Sequence, residues 1–190
     1  MQNITPLVAA EGEEYQPYAR SKSTLARQHA IPGTPGLEHR LGGLEKDFIT
    51  GDVSYDPDNH EAMCKVRSEK VEKIAEFIPN QQVFGGEKGD VLVVGWGGTY
   101  GHLYSTVKQL REEGKDITLA HFNYINPLPK NTADVFKNFK TIIVCEINNG
   151  QFANYLRMKY PEFKYQQFNR VQGLPFKTIE LKERFNTLLS

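Results

Sequence analysis

The chain has 190 residues, 39% of them hydrophobic, and its 23 basic and 23 acidic side chains give no net charge. This balance argues against nucleic acid or an anionic membrane as the partner, because both bind basic surfaces. No apolar stretch approaches the roughly 20 residues of a membrane span. The first residues also lack the pattern of a signal peptide, so we expect a cytoplasmic protein.

The two cysteines, Cys64 and Cys145, are far apart and belong to no Cys-x-x-Cys pair. An iron–sulfur cluster or a structural zinc ion needs about four suitably spaced ligands. None of the five histidines forms a pair with the spacing of a metal site either. We therefore expect no metal and no cluster on this chain, and we interpret both cysteines as buried thiols in a reducing cytoplasm.

Residues 1–58 are predicted to be an irregular arm. They are rich in Pro, Gly, Glu and Ser, and prolines at 32 and 35 disfavour helix at the residues before them. Such a long irregular stretch is uncommon within a compact domain. We interpret the arm as a linker that follows an upstream domain and packs against something outside this chain.

A connecting segment, 59–84, is predicted to contain one long helix that Pro79 closes. Asp58 or Asn59 is a candidate N-cap. Apolar residues at roughly helical spacing predict one buried face, formed by Met63, Val66, Val71, Ile74, Phe77 and Ile78. Residues 81–89 are predicted to be a loop that leads into the next strand.

Strand and helix patterns alternate from residue 85 to residue 190. The apolar run Val91–Val94 is followed by glycines and by Thr99, a candidate cap for the next helix. Further strands are predicted at 117–122, 141–146 and 164–168, and Asn131 and Thr178 are candidate caps of later helices. The first and third strands are apolar throughout, which is typical of a sheet buried on both faces. The sequence therefore predicts an α/β domain with a mostly parallel sheet and helices on both faces.

The glycine turn at 95–98 is the strongest local candidate for binding an anion, since a helix N-terminus follows it. The dinucleotide fingerprint Gly-x-Gly-x-x-Gly fails, however, because Tyr100 occupies the third glycine position. The P-loop pattern also fails. We favour a structural role, in which the glycines turn the strand tightly into a helix packed on the sheet, and phosphate binding is the alternative.

Loops that follow parallel strands meet at the carboxyl edge of the sheet, where ligands usually bind. We name the candidate residues there the carboxyl rim: Gly97, Gly98, Thr99, Tyr100, Glu146, Asn148 and Asn149. Glu146 is the only carboxylate predicted directly at a strand end, and capping a helix or contacting another subunit is favoured for it over acting as a base. In the arm, His39 and Arg40 are predicted to make a structural or interface contact, with contact to an anionic ligand as the alternative.

Several motifs along the chain resemble one enzyme family. These are PGTPGLEHRLGGLE at 32–45, GDVSYDP at 51–57 with His60, Met63, Arg67 and Lys70 after it, GWGGTYG at 95–101, NPLP at 126–129 and VQGLPF at 171–176. Together they resemble the C-terminal part of the alpha subunit of 2-oxoglutarate:ferredoxin oxidoreductase. The motifs of the arm are more specific than the glycine turn.

This resemblance implies a fold like the transketolase C-terminal domain and a subunit-contact role in a thiamine-diphosphate-dependent complex. Such a complex converts 2-oxoglutarate and coenzyme A to succinyl-CoA and carbon dioxide and reduces ferredoxin. The resemblance places thiamine diphosphate, magnesium and the iron–sulfur cluster in the whole complex with a beta subunit. No cofactor and no catalytic residue is carried over onto this chain, which is expected to be inactive alone.

The sequence leaves open two alternatives to this function. A pyruvate- or branched-chain 2-oxoacid:ferredoxin oxidoreductase would contain a similar domain, because the residues that select the substrate lie mostly elsewhere. A stand-alone nucleotide-binding module that uses the glycine turn is the competing class of function.

Overall fold

The structure, a computed structural model, describes residues 8, 9, 12 and 14–190. The chain divides into two compact units, one that ends at Ile78 and one that spans Pro79–Ser190. Among the described residues no helix is both long and apolar enough to cross a membrane. Part of the predicted arm, residues 1–7, 10, 11 and 13, lies outside the described residues.

The first unit contains helix α1, Pro57–Lys73, which a 3-10 turn, Ile74–Glu76, extends. Before Pro57 the described residues form turns, bends and isolated bridges, such as Lys46 with Val53. Asn59 links α1 to the irregular segment before it. Its side-chain oxygen accepts the Phe48 N–H at 2.9 Å, and its amide donates to the Lys46 carbonyl at 2.8 Å. The irregular segment is therefore held on α1 within this unit.

The prediction for α1 was wrong in two respects. Asp56, rather than Asp58 or Asn59, caps the helix by accepting the N–H groups of Asp58 and Asn59 at 2.8 and 3.2 Å. Pro57 follows at the first helical position, where its missing N–H costs nothing. The apolar stripe is only half buried: Met63 and Val66 are buried, whereas Val71, Ile74 and Phe77 are exposed.

The second unit is a four-stranded parallel sheet with strand order β2-β1-β3-β4. Its strands are β1 (Gly89–Trp96), β2 (Ile117–Phe122), β3 (Phe139–Glu146) and β4 (Tyr165–Asn169). Its helices are α2 (Tyr100–Glu112), α3 (Thr132–Lys137), α4 (Gln151–Lys159) and α5 (Thr178–Leu189). The prediction of a parallel α/β fold is confirmed.

Alternate residues of the central strands build two separate cores. On one face Leu92 and Val94 pack with side chains of α3 and α4, among them Phe136 and Phe152. On the other face Val91 and Val93 pack with residues of α2 and α5, including Leu103 and Phe185. Because side chains alternate along a strand, a run that is apolar at every position requires helices on both faces.

Two of the predicted helix caps in this unit were right or nearly right in position but not in contacts. Asn131 occupies the N-cap position of α3 as predicted, but its side chain accepts the N–H of Gln81 at 2.7 Å and donates to the Gln81 carbonyl at 3.1 Å instead of capping the helix. Thr178 is the first residue of α5 rather than its cap, and Lys177 precedes the helix. The Asn131 side chain could bind several nearby groups, and the tertiary structure selects the backbone of Gln81.

The segment 79–88 belongs to the second unit and does more than lead into β1. Phe84 exchanges backbone hydrogen bonds with Leu119 of β2 at 2.8 and 3.0 Å. The hydroxyl of Thr118 accepts the Gly86 N–H and donates to the Gly86 carbonyl, both at 3.0 Å. The segment therefore covers the outer edge of β2.

Candidate functional site

The carboxyl rim is assembled by the ends of β1 and β3, which pair in parallel at the centre of the sheet. Trp96 is the last residue of β1 and Glu146 the last of β3. The indole N–H of Trp96 donates to Oε1 of Glu146 at 3.2 Å, although the two residues are 50 positions apart in the sequence. The parallel register thus brings together the loops that the sequence pattern placed at one edge.

The glycine turn is shaped by close packing of α2 on β1. A Cβ at Gly95 would clash with Cδ1 of Leu103 and lie 2.8 Å from the Thr99 hydroxyl, so only glycine fits there. Gly97 has φ +56°, a left-handed conformation, and it opens a 3-10 turn, Gly97–Thr99, before α2. Gly97 and Gly98 are exposed to solvent.

Thr99 occupies the predicted N-cap position of α2, but its side chain makes no capping hydrogen bond to the helix. Its hydroxyl instead donates to the carbonyl of Trp96 at 2.9 Å and accepts the Trp96 N–H at 3.2 Å. Both groups belong to the end of β1, so Thr99 fixes the turn to the strand. The side chain is buried, with 2% exposure, and is not available to a ligand.

Glu146 is fully buried and binds the N-terminus of α4. Its two carboxylate oxygens accept the N–H groups of Phe152 and Ala153 at 2.8 and 3.0 Å, in addition to the Trp96 indole. These N–H groups have no partner within their own helix, and the positive end of the helix dipole stabilises a negative charge there. The geometry gives Glu146 a structural role that joins β1, β3 and α4.

The two asparagines of the rim differ in their contacts. The side-chain oxygen of Asn148 accepts the N–H groups of Gly150 and Gln151 at 2.7 and 3.1 Å, which forms the turn into α4. Gly150 adopts φ +86°, and a Cβ there would lie 2.8 Å from the Asn169 amide. Asn149 is exposed beside this turn.

A cleft of about 490 Å³ opens beside Tyr100, and the sequence did not reveal it. Tyr100 is half exposed and contacts the ring of His121 at 5.0 Å and that of Tyr104 at 5.5 Å between centroids. The wall of the cleft is formed by Gln82, Val83, Phe84, Tyr100, Leu119, His121 and Asn123. The segment 82–84 carries no periodic signal, so its position along β2 could not be predicted.

His121 is the titratable group of this cleft with the most unusual environment. Burial lowers the pKa of its imidazole, so the ring is neutral at pH 7. Its Nδ1 atom is buried and has no hydrogen-bond partner among the described residues. A neutral imidazole beside the aromatic ring of Tyr100 suits contact with a flat, uncharged group rather than with a phosphate.

His39 and Arg40 lie in the first unit, in the irregular segment. Nδ1 of His39 is 3.0 Å from the carbonyl of the buried Leu37, and its ring meets the edge of Tyr15 at 5.3 Å. Arg40 is exposed. These contacts hold the His39 ring on its own unit.

The described residues contain no group of three or more His, Cys, Asp or Glu side chains placed to hold a metal ion. Cys145 is buried in β3, where burial raises the pKa of its thiol. Cys64, in contrast, is exposed on α1, so the interpretation of both cysteines as buried was wrong for this one.

Residues 89–183, which include the whole carboxyl rim, match the family model described as pyruvate:ferredoxin oxidoreductase core domain II. The chain belongs to this family. The match begins at the first residue of β1 and ends within α5. Together with the relatives and the solved structure described next, this match confirms the resemblance noted from the sequence motifs.

Known relatives of the family cover more of the chain. The 2-oxoglutarate oxidoreductase subunit KorA of Mycobacterium tuberculosis is 42% identical over 175 residues, which is 91% of this chain and 26% of KorA. Subunit alpha of 2-oxoacid:ferredoxin oxidoreductase 1 from Aeropyrum pernix is 31% identical over 110 residues, 56% of this chain and 17% of that subunit. The chain thus spans about a quarter of the length of KorA.

A solved structure gives the same result for the fold. The 2-oxoglutarate:ferredoxin oxidoreductase from Magnetococcus marinus, with 2-oxoglutarate, coenzyme A and succinyl-CoA bound, matches with a TM-score of 0.86 at 28% identity. The match covers 97% of this chain and 32% of that one.

Proposed function

We propose that this chain is part of the alpha subunit of a 2-oxoglutarate:ferredoxin oxidoreductase. The observation that carries the proposal is the identity to KorA, which extends over nearly the whole chain and therefore through both units. In this proposal the complex converts 2-oxoglutarate and coenzyme A to succinyl-CoA and carbon dioxide. The two electrons released pass to ferredoxin.

The proposal places thiamine diphosphate, magnesium and the iron–sulfur cluster elsewhere in the complex, with a beta subunit. The donor set of this chain supports that division. The exposed Cys64 and the buried Cys145 cannot form a cluster ligand set, and the hydroxyl of Thr99 is engaged by the backbone of Trp96. No catalytic step is assigned to residues of this chain.

The proposed role of the second unit is to hold and present the carboxyl rim as a contact surface for the rest of the complex. Glu146, Thr99 and Asn148 are occupied in fixing strand and helix ends. Gly97, Gly98, Tyr100 and Asn149 are the exposed members that remain for contact. Tyrosine is enriched in protein interfaces, so the half-exposed Tyr100 is the expected anchor of this surface.

Purification of the complex through a tag on this chain tests the proposal. We expect a beta subunit to co-purify, with coenzyme A-dependent reduction of ferredoxin that is faster with 2-oxoglutarate than with pyruvate or branched-chain 2-oxoacids. Preference for another 2-oxoacid would support the alternative substrates, which the broader name of the Aeropyrum relative keeps open. Absence of any 2-oxoacid activity in the purified material would contradict the proposal.

The stand-alone nucleotide-binding alternative is tested by titrating the chain with nucleotides. We expect no binding tighter than millimolar, since the glycine turn matches neither phosphate-binding pattern. Micromolar binding that is lost in a Gly98→Glu variant would instead favour that alternative.

A further inference from the structure

Four polar side chains of the first unit form a cluster on the exposed surface of α1. His60, Cys64 and Arg67 follow each other at spacings of four and three residues, so they lie on one face of the helix. Glu45, from the irregular segment before α1, completes the cluster. None of these contacts serves the carboxyl rim or the cores described above.

The contacts of the cluster run in a closed ring. Nδ1 of His60 lies 2.6 Å from one carboxylate oxygen of Glu45, and Nε2 lies 3.6 Å from the sulfur of Cys64. Arg67 donates from one nitrogen to the same sulfur at 3.2 Å and from another to the second oxygen of Glu45 at 3.3 Å. The thiol therefore faces both an imidazole and a guanidinium.

Each contact has a defined chemical consequence. The Glu45 carboxylate orients the His60 ring so that Nδ1 carries a proton and Nε2 is free to accept one from the thiol. The guanidinium of Arg67 stabilises a negative charge on the sulfur, because opposite charges at this distance attract. The hydrogen bond from His60, followed by the contact with Arg67, lowers the pKa of Glu45, and the sulfur contact raises the pKa of Arg67.

We propose that Cys64 is a thiol–disulfide exchange site that reacts with low-molecular-weight disulfides. The Cys64 sulfur forms a bond to one sulfur of the disulfide while the original sulfur–sulfur bond breaks. The proton that His60 takes from the thiol is returned to the departing thiolate. The products are a mixed disulfide on Cys64 and one free small thiol, so atoms and electrons balance without a further reagent.

A disulfide is favoured over other electrophiles because the cluster supplies both needs of the exchange. Arg67 stabilises the attacking sulfur, and the protonated imidazole lies next to the site where the leaving thiolate requires a proton. The cluster also lies on the surface, since Cys64 is exposed and the side chains of His60 and Arg67 are 63% and 51% exposed. Cys145, with 0% exposure, provides an unreactive thiol in the same chain.

The test is the second-order rate of reaction with oxidised glutathione at pH 7, with mass spectrometry of the modified peptide. We expect modification at Cys64 and not at Cys145, at a rate about tenfold or more above that of a simple thiol such as reduced glutathione. His60→Gln and Arg67→Gln are each expected to lower the rate by about tenfold, and Arg67→Lys to retain most of it because the charge stays. Lys65→Gln, which removes an exposed cation of the same helix outside the cluster, is the matched control and is expected to leave the rate unchanged.

Circular dichroism of each variant separates a chemical effect from a loss of the fold. A wild-type rate no higher than that of the simple thiol would overturn the proposal. Rates of the folded His60→Gln and Arg67→Gln variants within twofold of wild type would overturn it equally. Neither result depends on the activity of the complex, so the proposal stands or fails separately from the proposed function.

Discussion

In the second unit, Val91–Val94 of β1 are all 0% exposed and pack against helices on both faces of the sheet. In the first unit, the buried apolar side chains include Ala9, Leu37, Met63 and Val66, while Phe77 and Val71 remain exposed. Polar contacts compensate there: Arg20 donates to the Tyr18 carbonyl at 3.0 Å, and Arg27 stacks on the Tyr18 ring at 4.2 Å. The two units therefore depend on different features of the sequence. The second unit needs large apolar side chains at regular spacing, whereas the first unit needs particular polar side chains.

The largest contrast is expected from truncating one phenylalanine in each unit. Phe136 is fully buried among aromatic rings, so Phe136→Ala should lower the free energy of unfolding by about 3–5 kcal/mol. Phe77→Ala, at a side chain that is 49% exposed, should cost less than about 1 kcal/mol. Urea unfolding followed by circular dichroism measures both, and equal losses would contradict the contrast between the units.

Within the second unit, replacing a glycine of the turn by alanine is expected to reduce stability at Gly95 and not at Gly98. Gly95→Ala forces a methyl group against Leu103 and the Thr99 hydroxyl, which should cost about 2–3 kcal/mol by overpacking. Gly98→Ala adds the same methyl group where nothing lies within 4 Å, and its effect should stay within about 0.5 kcal/mol. Chemical denaturation of the two variants compares them directly, and a tolerated alanine at 95 would refute the close packing.

Much of the second unit could be predicted because its signals are local. The apolar runs of β1 and β3 and the helices between them follow from short windows of sequence. The side-chain caps failed where another backbone group binds the same side chain, three residues away for Thr99 and far along the chain for Asn131. Asn131, for example, binds the backbone of Gln81, 50 residues earlier.

The candidate site was only partly predictable for the same reason. Parallel topology is enough to bring Tyr100 and Glu146 to one edge, but the role of Glu146 appears only when α4 is in place. The cleft at His121 depends on a segment without periodicity. The exposure of Cys64 had a readable signal, because the spacing of His60, Cys64 and Arg67 marks a polar face of α1.

A smaller effect is expected at the buried carboxylate that joins β1, β3 and α4. Glu146→Gln keeps the shape but removes the charge and turns an NH₂ group toward backbone N–H donors, which should cost about 1–2 kcal/mol. The fluorescence of Trp96, the single tryptophan, should change as its hydrogen bond to Glu146 is altered. Glu112→Gln, at a mostly exposed side chain, is the control and should be silent in both measurements.

The smallest expected effect is a pH dependence of the free energy of unfolding, which differs between the two units. Burial lowers the pKa of His121 in the folded chain, so the unfolded chain binds the proton first as the pH falls below about 6.5. The second unit should therefore lose stability between pH 7 and 5.5. A His121→Gln variant should show a shallower slope over this range, and an unchanged slope would exclude His121 as the cause.

In the first unit the corresponding group is Glu45. The His60 hydrogen bond, followed by the Arg67 contact, lowers the pKa of this carboxyl in the folded chain, so its stabilising contribution is present above about pH 4.5 and is lost as the pH falls further. Glu45→Gln should lower the stability above about pH 5.5 by a constant amount and flatten the stability profile below about pH 4.5. Unfolding curves at closely spaced pH values test this, and an acid slope as steep as that of the wild type would contradict it.

The central pairing of β1 with β3 also has a consequence during synthesis on the ribosome. Trp96 and Glu146 at the strand ends are separated by 50 residues, and the intervening chain contains β2 and its flanking helices. Until β3 emerges, β1 has β2 on one side and an unpaired apolar edge on the other. Contacts of such long sequence separation form slowly, and an open apolar strand edge is a template for aggregation. A nascent chain that stalls before residue 139 is therefore at its most aggregation-prone, and prompt translation through β3 protects the strand on which the whole domain is built.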